Sequence, residues 1–287
     1  MDSPGGSQAA FQRVRQFNCP NCGGELEVFN KRTRYVGCHY CGAQLDASSE
    51  AAEMLLKLDE PGAHPPQSFI DLGVEFVFDG LRYHTVGRRR WQADYMEFWE
   101  EVDEDGREWG FSRETWVYDE WLLLSELGNI IYLNEDPEGY SLVEEVVPLT
   151  PTLPLNRNEP VNFFGGSPQV IREHGEARVI HAQGESTYQV AYGDRVLFAM
   201  YEEKDTEFIC EWRLNDNGEI REIEFHRAVP VSEGELRKAV DAVESGGEGG
   251  SLEQAFADAD KVSTLEGIEQ QVKRAKLWRF AGNVMLL

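Results

Sequence analysis

The stretch "WVYDEWLLL", residues 116–124, sets aromatic and branched residues around two adjacent carboxylates, Asp119 and Glu120. In an extended chain, neighbours point to opposite faces. Trp116, Tyr118, Glu120, Leu122 and Leu124 then share one face, and Val117, Asp119, Trp121 and Leu123 share the other. Asp119 and Glu120 therefore cannot work as a carboxylate pair on one substrate.

Outward from this stretch, residues 69–231 read as strand after strand. Turn signals stand at Asp79-Gly80, Asp105-Gly106, Gly128-Asn129, Gly193-Asp194 and Asn217-Gly218. Helical periodicity is nearly absent there, and "PLTPTLPLNRNEP" (148–160) reads as an extended crossing between two halves. The halves resemble each other. "DGLRYHTVG" precedes Glu120-Trp121 and the turn glycine Gly128; "QGESTYQVAYG" precedes Glu211-Trp212 and Gly218. The expected fold is mainly β: a body of two related antiparallel meanders, 69–150 and 151–231, barrel- or sandwich-like. On this pattern Glu120 and Glu211 are scaffold carboxylates at a sheet turn, and Tyr83, Trp121, Tyr188 and Trp212 are cross-strand packing. Asp119 has no counterpart, since Cys210 takes its place, so its role stays open.

The segment "ADYMEFWEEVDEDGREWG" holds eight acids and one arginine between Asp94 and Gly110. It reads as a solvated hairpin end, because clustered like charges need water around them; a calcium loop is the sharper alternative, but the alternate-position ligands and terminal Glu are missing.

Residues 17–46 carry Cys19, Cys22, Cys38 and Cys41 as two Cys-x-x-Cys knuckles with fifteen residues between them. This is zinc-ribbon spacing, in which two tight turns joined by a hairpin bring four thiolates to one Zn2+. Gly23 and Gly42 follow each knuckle, where a positive φ turns amides toward sulfur. His39 is surplus to a complete set of four. Four cysteines leave no open position, so the metal is expected to be structural. Cys210 reads as a buried, inert thiol.

Residues 47–68 read as a short helix, "ASSEAAEMLLKL", followed by the Pro-rich linker "DEPGAHPPQ". Residues 232–287 read as C-terminal helices around a Gly-rich linker, 245–251. The first helix is capped by Ser232 with Glu235 three residues on. The last segment interleaves Lys273, Arg274, Lys276 and Arg279 with Leu277, Trp278 and Phe280. It could lie on an anionic membrane surface, enter a partner groove, or fold back on the core.

A net charge of -25 argues against nucleic acid as a partner. The basic residues Arg13, Arg15, Lys31, Arg32 and Arg34 cluster near the ribbon. No run approaches a membrane span, the N-terminus lacks a signal-peptide layout, and paired cysteines suit a reducing compartment. The expected location is cytoplasmic, with contact at the inner membrane through the C-terminal helix as an open option. No phosphate loop, nucleophile elbow or H-E-x-x-H occurs.

"GVEFVFDGLRYHTVGRRR", "WVYDEWLLL" and "GNIIYLNED", followed by a second β-rich half, resemble the bacterial domain-of-unknown-function family numbered 4178. The resemblance covers roughly 69–231, and a preceding "CPNCG…CHYCG" ribbon is a common companion there. It implies no catalytic residues and only a context of envelope stress. Two functions are therefore expected. One is a non-enzymatic adaptor using ribbon and C-terminal helix for protein-protein interaction. The other is an enzyme or small-ligand binder with a site between the meanders, centred on Asp119 with His84.

Overall fold

A computed structural model describes residues 11–49, 52–56, 67–103, 106–148, 170–186, 193–203, 206–215, 217–247, 249 and 252. At 56, 99–103, 106–109, 202 and 203 it describes the backbone alone. The N-terminal strands are β1 (Arg15–Asn18), β2 (Glu25–Val28), β3 (Tyr35–Gly37), β4 (Gln44–Asp46) and β5 (Glu53–Leu56). The first meander has β6 (Glu75–Phe78), β7 (Leu81–Asp103), β8 (Gly106–Ser125), β9 (Ile130–Glu135) and β10 (Tyr140–Glu145). The second has β11 (Glu173–Ser186), β12 (Arg195–Glu203), β13 (Thr206–Leu214) and β14 (Ile220–Val231), and α1 (Glu233–Ser245) follows. No helix among the described residues is long and apolar enough to cross a membrane.

Strands pair in the order β11-β12-β13-β14-β10-β9-β8-β7, and β11 pairs back with β7. The result is a closed, eight-stranded antiparallel barrel. The first meander runs round the wall from β7. The second starts beside β7 and runs the other way until β14 meets β10. Neither meander closes alone; together they enclose one lumen.

The alternation read from the sequence now has a direction. Trp121 and Leu123 face outward into a core with Phe76, Phe78, Leu133 and Val229, which Leu236 and Ala239 of α1 cover. A second outer core holds Tyr201, Phe208, Cys210 and Trp212. Along β13 the outward residues are buried, whereas the inward Glu207, Ile209 and Glu211 keep partial exposure. Packed apolar residues also occupy part of the inward face, where Trp91, Ala93, Ala177, Val179 and Val196 form a buried cluster, and the lumen opens beside them.

The two Glu-Trp strands lead into matching turns. Gly128 N–H donates to Ser125 O at 2.9 Å and Gly218 N–H to Asn215 O at 2.9 Å. Both glycines need positive φ, 84° and 79°. The similarity stops at this hairpin, because β8 is followed by β9 and β10 while β13 is followed by β14 alone.

The ribbon is built into the sheet. Its β3 pairs with β11, taking the place along that edge that β12 occupies further back. Gly184 of β11 sits opposite both Gly37 of β3 and Gly87 of β7. A Cβ at Gly184, whose φ is 73°, would fall on the Val86 carbonyl oxygen. Glu185 beside it is a buried carboxylate that accepts from Phe29 N at 2.6 Å, Asn30 N at 3.1 Å and the Thr33 hydroxyl.

One expected element is corrected: the short helix at 47–58 is, at Glu53–Leu56, the strand β5 paired with β4. A helix of that length is marginal in water, and the open edge of β4 offers the same backbone a ladder. The capping box at Ser232 and Glu235 forms on α1. Except for Leu252, which is buried in the outer core, the second C-terminal helix lies outside the described residues, as does most of the proline-rich crossing.

Candidate functional site

The knuckle turns bring Cys19, Cys22, Cys38 and Cys41 into one cluster. Gly23 N donates to Cys19 O at 2.8 Å and Gly42 N to Cys38 O at 2.7 Å, with φ of 77° and 73° at the two glycines. The Sγ atoms of Cys19 and Cys41 lie 3.8 Å apart, and those of Cys22 and Cys38 3.7 Å. Those are the edges of a tetrahedron with metal–sulfur bonds of about 2.3 Å, and far too long for a disulfide. Burial raises the pKa of Cys19 and Cys38. Burial acts the same way on Cys41, but the amide of Asn21, 3.3 Å from its sulfur, and the backbone near Ala43 bring it down to about 7. The donor set fits a metal ion held by four thiolates. His39 stands outside it, its pKa lowered by burial.

The second site is the lumen, a cavity of about 460 Å³. One end is filled by Val86, Leu122 and Leu124, against which Phe29 of the ribbon packs. Beyond this floor the wall is aromatic, with Tyr95, Trp116, Tyr118, Tyr132 and Phe198 lining the space.

Near the floor lies a charged cluster. Arg89 of β7 is buried and ion-paired with Glu120 of β8, directly opposite in register. Burial works against its charge, yet Glu120, Tyr132 and Glu211 raise its pKa. Glu211 of β13 stands opposite Glu224 of β14. Burial raises the Glu211 pKa, and Glu120 and Glu224 add to this against the pull of His226. Burial also opposes ionisation of Glu224, but His226 and Arg213 outweigh it and hold its pKa down. His226 itself is raised, burial being overcome by Glu224 and Glu211. Tyr118 is pushed well above its ordinary range by burial and by Glu211 and Glu120.

Toward the open end the lining carries Glu97, Glu114, Asp136, Glu138, Glu173 and Glu207. Burial, then Glu207 and Glu97, push the Glu173 carboxyl up to about 7. Burial, with Glu173, Glu97 and Glu114 near, pushes the Tyr95 hydroxyl up to about 12. The only full cation among the lining residues is Arg89, and Glu120 holds it.

Asp119 does not line this space. It is outward, 4% exposed, and takes Arg88 Nε at 3.0 Å, Arg88 Nη2 at 2.8 Å and Arg90 Nη1 at 3.0 Å. Arg88 also lies over Trp121, 4.4 Å from the ring centroid. His84 is elsewhere, ringed by Phe11 and Phe29 at the ribbon junction. It pairs with Leu124, five positions from Asp119 along β8, about 16 Å at strand spacing. The structure therefore separates Asp119 from His84 and sets Glu120 and Glu211, read as scaffold, inside the lumen. Glu224 and Glu173 were missed by the sequence reading. The signal available for Glu224 was the alternation of "REIEFHR", which puts Glu222, Glu224 and His226 on one face.

No protein-family model, curated protein or solved structure matches the chain.

Proposed function

We propose that this is a binding protein for a small organic cation, of the amine or quaternary ammonium class, held in the barrel lumen above a floor sealed by a zinc-bound ribbon. The observation that carries the reading is the charge of the lining. Glu97, Glu114, Glu173, Glu207, Glu211 and Glu224 share the space with Arg89, which is already paired to Glu120. Carboxylates gathered in a partly dry cavity disfavour one another's ionisation until a cation enters. Tyr95, Trp116, Tyr118, Tyr132 and Phe198 supply ring faces for the same cation and for an apolar stem. The volume of about 460 Å³ suits a small molecule.

Zinc is the ion that four thiolates in a closed tetrahedron suit best, and its role here is to fold the ribbon that carries Phe29 and Glu185's partners. Ligand binding is favoured over a partner-recruiting adaptor because the ribbon's β3 edge is used on β11 rather than presented to solvent. The proposed site draws its lining from both meanders and centres on Glu120 and Glu211, whereas the expected ligand site was centred on Asp119.

Thermal denaturation across matched aliphatic diamines, diols and dicarboxylates tests the reading. Diamines should raise the melting temperature with concentration, as any ligand of the native state must. Equal shifts from the diols, or none from the diamines or quaternary ammonium compounds, would sink it.

A further inference from the structure

The geometry points to a second metal site: Glu211, Glu224 and His226 form a three-ligand centre for a divalent first-row transition ion, on the lumen wall and distinct from the cysteine cluster. Glu211 and Glu224 face each other across β13 and β14, and His226 follows on the same face of β14. Their donor atoms all lie within 4.8 Å of one another. His226 Nε2 is 3.8 Å from Glu211 Oε2 and 3.8 Å from Glu224 Oε2. These separations are too long for hydrogen bonds. Donors bound at about 2.0–2.2 Å to one ion sit roughly 3 to 3.5 Å apart, so closures of a few tenths of an ångström at His226 and of no more than about 2 Å between the carboxylates would complete the centre.

His226 supplies an independent sign. The residue is 9% exposed and its side chain 11%, Nδ1 has no hydrogen-bond partner among the described residues, and Nε2 is the nitrogen turned to both carboxylates. A buried imidazole is normally satisfied on both nitrogens, and an ion would supply the partner that Nε2 lacks within hydrogen-bond distance of either carboxylate. Directly opposed like charges also destabilise a strand pair unless something bridges them. The other groups facing the cluster are Arg89, ion-paired with Glu120, Arg213, ion-paired with Glu222 at 3.0 Å, and Tyr132, in a T-shaped ring contact with His226; the two arginines favour the ionised Glu224. One imidazole and two carboxylates suit zinc, manganese or iron, and three protein ligands leave coordination positions open toward the lumen.

Cobalt(II) is the probe, titrated into the metal-free full chain and followed by visible absorption. The first equivalent should give the intense thiolate-to-cobalt charge-transfer band of the cysteine cluster. The second should add only weak ligand-field bands with no thiolate character. In the Glu211→Gln/Glu224→Gln protein, and separately in His226→Gln, the second equivalent should be lost while the thiolate band persists as a check on folding. A wild-type protein that takes up one equivalent only, or variants that still take up two, would overturn the site. Glu97→Gln/Glu173→Gln should keep both equivalents, so failure of the organic-cation reading and failure of the metal site give different results.

Discussion

Asp119 and Glu120 share a peptide bond and stand on opposite sides of the barrel wall, each paired with the arginine chemistry of β7. Asp119 binds Arg88 and Arg90 on the outer layer, while Glu120 binds Arg89 inside. The "RRR" of residues 88–90 and the "DE" of residues 119–120 are thus one interlocked device. Odd and even positions of one strand answer the opposite positions of its neighbour.

Removing one partner of a buried ion pair leaves the other charge dry. Asp119→Ala should therefore cost about 3–5 kcal/mol in urea denaturation. Amine binding by the folded fraction should be unchanged. Glu120→Gln should do the reverse in kind, weakening amine binding because Arg89 is released into the lumen. Equal binding defects in both variants would contradict this division of roles.

The Glu173 carboxyl, raised to about 7 from an ordinary 4.5, should make cation binding depend on pH. Below about 7 the folded protein holds it protonated, and above it the site gains a negative charge. Amine affinity should strengthen as pH rises through that value, and Glu173→Gln should flatten the profile. Stability without ligand runs oppositely. A raised carboxyl pKa contributes stability that is complete below about 4.5 and is lost as pH rises through about 7. The wild-type protein should lose ground to Glu173→Gln across that window in denaturation at a series of pH values.

Gly184→Ala forces a side chain into a left-handed backbone position, where an L residue is strained by roughly 1–2 kcal/mol, and onto the Val86 carbonyl. The break should be local to the three-strand junction. Hydrogen exchange should quicken in β3 and around Phe29 before it does in β9 or β10. Uniform quickening would mean that the ribbon and barrel do not meet as described.

Chelation of the ribbon metal should unfold residues 11–56 first, since their apolar cluster is small and holds the cysteines themselves. The far-UV signal of the barrel should persist, whereas the environment of Phe29 and His84 should be lost. Mass-spectrometric exchange on the chelated protein reads both at once.

The elements legible in the sequence were those fixed by local spacing. The cysteine knuckles, the turn glycines, the Ser232 cap and the alternation of residues 116–124 each depend on residues a few positions apart. The inward face was not legible, because Trp116 and Tyr118 look as apolar as Trp121 and Leu123. Which face is enclosed depends on β11 pairing with β7, a contact between distant segments that no periodicity records. The same gap hid the site. Glu120 and Glu211 matched as a repeat and so read as scaffold, yet closure of the barrel turns both toward one cavity. The helix at 47–58 failed for a related reason, as the edge of β4 that captures Glu53–Leu56 exists only once the ribbon has folded.

The most direct test is calorimetric titration of an aliphatic diamine, and of the diol of equal length, into wild type and the Glu97→Gln/Glu173→Gln variant. Saturable one-to-one binding of the diamine alone, weakened at least about tenfold in the variant and accompanied by a change in Trp116 fluorescence, is expected of a lumen site. Diol binding of equal strength, or diamine binding that the variant leaves intact, would contradict a cation-binding lumen.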